Sequence, residues 1–414
     1  MSGLRSVEEH LADVLAASEP LEPERLPLAA AHGRTLSAPV HAAVDIPVFD
    51  NSAMDGFAVR FADVADAAPA APAALRVVAD LPAGSDADPR VAAGEAARIM
   101  TGSAVPTDAD AIVPFEDTAG GLADSLGPIS VLAAPRAVGA HIRRAGEDAR
   151  AGDEVLPGGA LLGPLQLAAA AAAGVADVVV ARRPRVAVIS TGSELVEPGS
   201  PLRRGQIPES NSFLLAALAA EAGADVVRRA SVSDEGGGLE TLLAEVTDAR
   251  SSDRADVVIF SGGVSAGAYE VVKTTLSGRM SFSRVAMQPG KPQGFGRLES
   301  GTLLFGLPGN PVSAAVSFEV FVRPALLRLQ GRDLLDRPVI TLRAAAGWRT
   351  PPARRQYLPV TIDRSVPGGW LAVPATSGGS HLAGGLGRAE AYAVVPAETD
   401  AVAAGDPVDV MLIS

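Results

Sequence analysis

Four short loops rich in small residues each follow a run of strand-forming residues. They are Ser190-Thr191-Gly192-Ser193-Glu194, Ser261-Gly262-Gly263-Val264-Ser265-Ala266-Gly267, Gln288-Pro289-Gly290-Lys291-Pro292 and Gly306-Leu307-Pro308-Gly309-Asn310-Pro311. Glycines in such loops let a ligand approach the backbone. In an open parallel sheet, ligands bind at the carboxyl ends of the strands, so these four exits are expected to converge on one edge. In the last loop Asn310 is placed to cap a helix and Pro311 to begin it. The free amides there suit a phosphate-type anion. Lys291 is one of only two lysines, with Lys273, among 35 basic residues. Where arginine is the default cation, a lysine set between two prolines and beside a glycine points to a compact ammonium aimed at an anion. Lys273 reads as an exposed helical residue.

Carboxylates stand close to these loops. Asp50 and Asp55 occur in Phe49-Asp50-Asn51-Ser52-Ala53-Met54-Asp55-Gly56, Glu194 in the first exit, Asp234 after the strand near Val227, and Glu270 past the serine-glycine loop. Loop oxygens of this kind hold a Mg²⁺ that bridges phosphate oxygens. His10, His32, His41 and His141 lack metal-ligand spacing and read as structural. A competing chemistry is Gly263-Val264-Ser265-Ala266-Gly267, which matches the nucleophile elbow of α/β-hydrolases between a strand and a helix. Against it, the only histidine after Ser265 is His381, in the C-terminal segment. No phosphate-binding P-loop is present, because Gly290-Lys291 is followed by Pro292.

The elements that must position these loops are legible in the pattern. From Arg185 strands and helices alternate, which predicts a mostly parallel sheet with helices on both faces over 182–330. Residues 46–145 carry short apolar runs broken by Pro, Gly and Asp, expected as a small β-rich domain inserted into the chain. Residues 1–45 and 146–181 are expected to rejoin as an N-terminal helical linker domain, with a helix from Leu4 to Ser18. The apolar stretch Leu161 to Ala181 reads as a buried helix followed by a strand. Residues 331–414 lack a long helical period and fit a small β-barrel or sandwich.

Length and composition bound the rest. At 414 residues the chain exceeds one ordinary core. A hydrophobic share of 48% with 20% charged residues is that of a globular protein. A net charge of -13 argues against nucleic acid as a partner. The absence of cysteine excludes disulfides, thiolate nucleophiles and Cys-based metal sites. With no signal-peptide core and no membrane span in the pattern, the expected location is the cytoplasm.

Taken together, several strings resemble the molybdopterin molybdenumtransferase family, of the bacterial MoeA and gephyrin E-domain type. They are residues 47–56, Arg98-Ile99-Met100-Thr101-Gly102, Arg143-Arg144-Ala145-Gly146-Glu147-Asp148, and the four exit loops. The resemblance runs in the same order from about residue 5 to the C-terminus. It implies a central α/β domain of the molybdopterin-binding type and a C-terminal β-barrel. It further implies the last step of molybdenum cofactor synthesis, in which adenylylated molybdopterin and molybdate are converted, with Mg²⁺, to molybdenum cofactor and AMP.

Carried over, the family's functional acids fall on Asp55, Glu194, Asp234 and Glu270, with Glu194 and Glu270 as metal ligands. Its threonine falls on Thr101, its loop lysine on Lys291 and its proline loop on Pro308 and Pro311. Thr191, Gly192, Ser193, Gly262, Gly263, Ser265, Gly309 and Asn310 would contact substrate. Arg354, or its neighbour Arg355, and Ser380 stand where the family has an arginine and a serine. Such a reaction needs metal-binding carboxylates, a cation and backbone donors aimed at developing charge. Two departures stand out: Gln288 replaces the first lysine of the family's Lys-Pro-Gly-Lys, and Glu270 replaces a commoner aspartate. Either Arg284, Arg297 or Arg354 substitutes for the missing cation, or anion affinity is weaker. The resemblance also implies a homodimer whose cleft is shared between subunits. Molybdopterin adenylyltransferase and molybdoenzyme apoproteins are the further partners it suggests. The alternatives are a molybdopterin carrier without chemistry and a Ser265 hydrolase.

Overall fold

The computed structural model describes residues 4–413 apart from 125, 235–237, 265–270, 376–378 and 380. Its central sheet has six strands in the spatial order Asp225–Val232, Arg185–Thr191, Val257–Ser261, Leu303–Leu307, Pro292–Arg297 and Ser281–Arg284. The first four are parallel, Pro292–Arg297 runs antiparallel to them, and Ser281–Arg284 is antiparallel to Pro292–Arg297 in turn. Alternation along the strands explains the three layers. Val186, Val188, Val257, Ile259, Leu303 and Phe305 face one core with the helices Asn211–Glu221 and Pro311–Ser317. Ala187, Ile189, Val258, Phe260 and Leu304 face the other, with Gly238–Thr247 and Val271–Leu276. Both faces are covered, so the central strands read as unbroken apolar runs.

From Arg185–Thr191 the chain crosses outward to Asp225–Val232, then returns to the opposite side at Val257–Ser261. That reversal opens a crevice at the carboxyl ends of the two inner strands. The helical run over residues 311–329 contains a buried π-helical turn, Phe318–Val322. Glu319 in that turn is 4% exposed and pairs with Arg337 at 2.9 Å.

The first helix, Val7–Ala17, is set by a Ser6/Glu9 capping box and buries Val7 and Val14 in the core of the central domain. Beyond it, Pro23–Pro27 pairs antiparallel with Asp177–Ala181, and Val40–His41 with Glu154–Leu156. A separate core of Leu36, Val40, Leu162, Val178 and Val180 closes this region. The sequence reading of a buried helix here is corrected. In Pro164–Ala172 only Ala170 is buried and Leu165 is 81% exposed. Alanine raises hydropathy without presenting enough surface to demand burial.

Between these two arms lies a five-stranded sheet in the order Ala111–Pro114, Gly56–Val59, Glu95–Ile99, Ala73–Leu81, Pro128–Val131. At the other end of the chain, Arg355–Asp363 pairs with both Leu371–Pro374 and Ala391–Val395, and Val339–Ala344 and Pro407–Leu412 complete a closed barrel around Leu358, Val360, Ala393 and Val410. Residues 281–288 divide between two sheets. Ser281–Arg284 stays in the central sheet, whereas Met287–Gln288 pairs in parallel with Arg355 and Gln356 of the barrel. No described helix is long and apolar enough to cross a membrane.

Candidate functional site

Three of the four loops meet at the crevice. They line a cavity of about 560 Å³ with Thr191, Gly192 and Glu194 from the first, Gly262 and Gly263 from the second, and Pro308 to Pro311 from the last. Glycine is required where these backbones touch. At Gly262, with φ +94, a Cβ would stand 2.5 Å from the Thr191 carbonyl oxygen. At Gly192 it would meet the Glu194 carboxylate, 2.7 and 2.8 Å away, so the acid folds back over the bare backbone. Asp234 also lines the cavity; its Oδ2 accepts from the Ser193 amide at 3.2 Å, and its own amide donates to Ser193 Oγ at 3.2 Å. Asn310 occupies the N-cap position, with Pro311 opening the helix, but its side chain makes no capping hydrogen bond.

Two residues that the sequence reading passed over brace this floor. Glu209, 4% exposed, accepts from Ser190 Oγ and the Ser212 amide, both at 2.8 Å, and from Ser212 Oγ. Asn211 Nδ2 donates to Ser261 Oγ at 2.8 Å and to the Gly309 carbonyl at 2.7 Å. One amide thereby ties the second loop to the last. The buried Thr191 Oγ1 and Asn211 Oδ1 have no hydrogen-bond partner among the described residues. The Ser210-Asn211-Ser212 string signals a helix start, yet nothing in the sequence marks Glu209 as buried. His381 lines the same cavity, whereas Ser265, its partner in the hydrolase reading, lies outside the described residues.

The fourth loop does not line this crevice. Gln288 instead borders a second cavity of about 760 Å³ with Trp348, Arg354 and Gln356. Buried Gln293 holds the loop, donating to the Gly290 carbonyl at 2.6 Å and Ser317 Oγ at 2.7 Å. Desolvation first, then the charges of Arg284 and Arg354, hold the Lys291 ammonium below its ordinary pKa. Two neighbouring arginines at the start of the barrel strand Arg355–Asp363 part ways. Arg355 pairs with Glu8 at 2.6 Å, while Arg354 Nη1 donates to Gln288 Oε1 at 2.7 Å. Arg297 is engaged by Glu19 at 3.1 Å.

Asp55 and Thr101 sit together at one end of the inserted sheet, just outside its strands Gly56–Val59 and Glu95–Ile99, and line neither cavity. Asp55 Oδ1 accepts from the Thr101 amide and Oγ1, both at 2.7 Å, and these bonds hold the carboxyl below its usual pKa. Gly56 fixes the approach, since a Cβ there would overlap the Val113 carbonyl. Asp50 is occupied by Arg144 and the Ala145 amide. Ser265, Glu270 and Ser380 lie outside the described residues. Among the described residues no three His, Asp or Glu side chains cluster as a metal site. The acids present in the crevice, Glu194 and Asp234, fit a Mg²⁺ that takes one or two carboxylates and completes its shell from substrate phosphate and water.

Known proteins match this chain over nearly its whole length. Family models match for the MoeA N-terminal region (domain I and II) at residues 5–174, a probable molybdopterin binding domain at 187–328, and the MoeA C-terminal region (domain IV) at 341–413. Molybdopterin molybdenumtransferase 2 of Mycobacterium tuberculosis is 44% identical, over 98% of this chain and 99% of that protein. The molybdopterin molybdenumtransferase of a Nostoc species is 35% identical, over 94% of this chain and 88% of that one. A crystal structure of the molybdopterin biosynthesis MoeA protein from Pyrococcus horikoshii superposes with a TM-score of 0.81 at 31% identity, covering 99% of both chains. Matched over 98% of its length by a relative 44% identical to it, and region by region by the family models, the chain belongs to the molybdopterin molybdenumtransferase family.

Proposed function

We propose that the protein is a molybdopterin molybdenumtransferase that inserts molybdate into adenylylated molybdopterin and releases AMP in a Mg²⁺-dependent reaction. The observation that carries this reading is the crevice at the sheet's reversal point, where two acids, Glu194 and Asp234, face the glycine backbones of Gly262, Gly263 and Gly309. Backbone amides and small residues accept a phosphate-bearing ligand, and the acids orient it through a metal. Glu194, with Glu270, would hold Mg²⁺, which when bound offsets charge developing on the phosphate oxygens. Lys291 and Arg354 supply fixed positive charge for the molybdate oxyanion. Thr191, Gly192 and Ser193 and the turn Pro308 to Pro311 enclose the ligand and limit water.

Asp55 and Thr101 complete the site from the partner subunit of a homodimer. This reading is supported by their pairing at one end of a sheet remote in sequence from the crevice they do not line. An adenylyltransferase would supply the substrate in the cytoplasm, and molybdoenzyme apoproteins would receive the product.

The purified protein, given adenylylated molybdopterin, molybdate and Mg²⁺, should release AMP together with cofactor that activates a molybdenum-free apoenzyme. Glu194→Gln should raise the Mg²⁺ requirement. Mixing Asp55→Ala with Lys291→Ala subunits should restore part of the activity; mixtures as inactive as either parent would refute the shared site. Tight substrate binding without AMP would instead identify a carrier. Labelling of Ser265 by a fluorophosphonate would identify a hydrolase, a reading that His381 in the cavity keeps open.

A further inference from the structure

Arg284, Lys291 and Arg354 form a group of cations close enough for both guanidiniums to depress the ammonium's pKa. None of the three is in an ion pair among the described residues. Each cation repels the others, so the cluster is poised for a multiply charged oxyanion. Among the described residues one side-chain bond orients the Arg354 guanidinium. Arg354 Nη1 donates to Gln288 Oε1 at 2.7 Å, where Met287–Gln288 lies in register with Arg355 and Gln356. A guanidinium only donates, so the glutamine must present its carbonyl oxygen. A neutral acceptor orients the cation without cancelling its charge. A carboxylate in its place would form an ion pair and remove the charge from the anion site, while a lysine would repel the guanidinium.

We infer that Gln288 is a positioning residue for the oxyanion substrate, holding the Arg354 guanidinium in the lining of the cavity that Gln288 shares with the barrel. This rests on the proposed molybdate chemistry, but oxyanion binding can be read separately from turnover. Trp348 lines the same cavity and donates to Gln356 Oε1 at 2.9 Å, while the chain's other tryptophan, Trp370, lies elsewhere beside Arg364. In a Trp370→Phe background, fluorescence therefore reports on this cavity alone.

Molybdate titrated without the nucleotide substrate should bind the parent protein, with the dissociation constant raised about tenfold by Gln288→Met, the scale of one hydrogen bond to a charged group. Gln288→Glu should weaken binding further than Gln288→Met. In turnover, the KM for molybdate should rise in step while kcat and the KM for adenylylated molybdopterin stay within about twofold. Both side chains are partly exposed, so the variants should melt with the parent. Dissociation constants equal to the parent's in both variants, or a Gln288→Glu protein binding better than Gln288→Met, would overturn the inference. So would a parent that binds no molybdate at millimolar concentration. A parent that binds molybdate in this order yet releases no AMP would leave Gln288 in its role and remove the transferase reading.

Discussion

Replacing Gly262 by alanine tests whether the crevice depends on two backbones in contact. The added Cβ would stand 2.5 Å from the Thr191 carbonyl oxygen and 3.0 Å from Thr191 Oγ1. Ordinary approach of carbon to a carbonyl oxygen is about 3.3 Å, so one strand exit must retreat by roughly 0.8 Å. The φ of +94 adds strain of about 1–3 kcal/mol for a residue with a side chain. Together these amount to about 2–4 kcal/mol, concentrated where the first two loops meet. A displacement near 1 Å in a site of this kind lowers kcat/KM by roughly a hundredfold. The control is Gly199→Ala, which has φ +89 but nothing within 4 Å of the new Cβ; it carries the conformational strain without the collision. AMP release under steady-state conditions and thermal melting would be measured on both. If Gly262→Ala lost no more activity than Gly199→Ala, the close approach would be irrelevant to the chemistry and the argument for a backbone-lined crevice would fail.

Three further outcomes are expected. Thr101→Val removes one of the two bonds that depress the Asp55 pKa. Because the folded value lies below the unfolded one, the contribution from Asp55 is present at neutral pH and lost as pH falls through the depressed value. The variant should lose it at higher pH, visible in a carboxyl NMR titration; an unmoved Asp55 would contradict the assignment. Glu209→Ala strands the Ser190 hydroxyl and the Ser212 amide and should destabilise the central domain by about 3–5 kcal/mol, read by chemical denaturation. Loss below about 1 kcal/mol would show that the carboxylate braces nothing. His10 is packed edge-on to Phe321, 4.7 Å between ring centroids, and burial lowers its pKa from 6.5 to about 4. The unfolded chain binds that proton first, so stability should fall by up to about 3 kcal/mol as pH drops from about 6.5 to about 4. His10→Leu should flatten this pH dependence, and an equally steep profile would place its origin elsewhere.

What the sequence disclosed followed physical signals of different strength. Val257–Ser261 and Leu303–Leu307 are wholly buried, and a strand covered on both faces must be apolar throughout, which made the α/β alternation plain. Short amphipathic runs after residue 331 indicated β structure, but the closure of a barrel depends on Arg355–Asp363 finding two partners, which no local pattern encodes. The strand exits were readable because glycine and proline punctuate them. Their convergence was only partly so. The Gln288 to Pro292 segment turns toward the barrel because Met287 and Gln288 pair there. Likewise Glu209 looks like any loop acid until Ser190 and Ser212 are seen to surround it, and Leu161 to Ala181 misled because many alanines mimic the hydropathy of a core.

The pairing of Pro23–Pro27 with Asp177–Ala181 also has a consequence for biosynthesis. On the ribosome the first of these strands emerges long before its mate. At about 5–20 residues per second the wait for the second is roughly 8–30 s. In that interval the intervening five-stranded sheet, whose pairings are all internal to it, can complete itself. Pro23–Pro27 meanwhile remains an open edge, and its two prolines, which cannot donate to a ladder, make it a poor template for strands of neighbouring nascent chains.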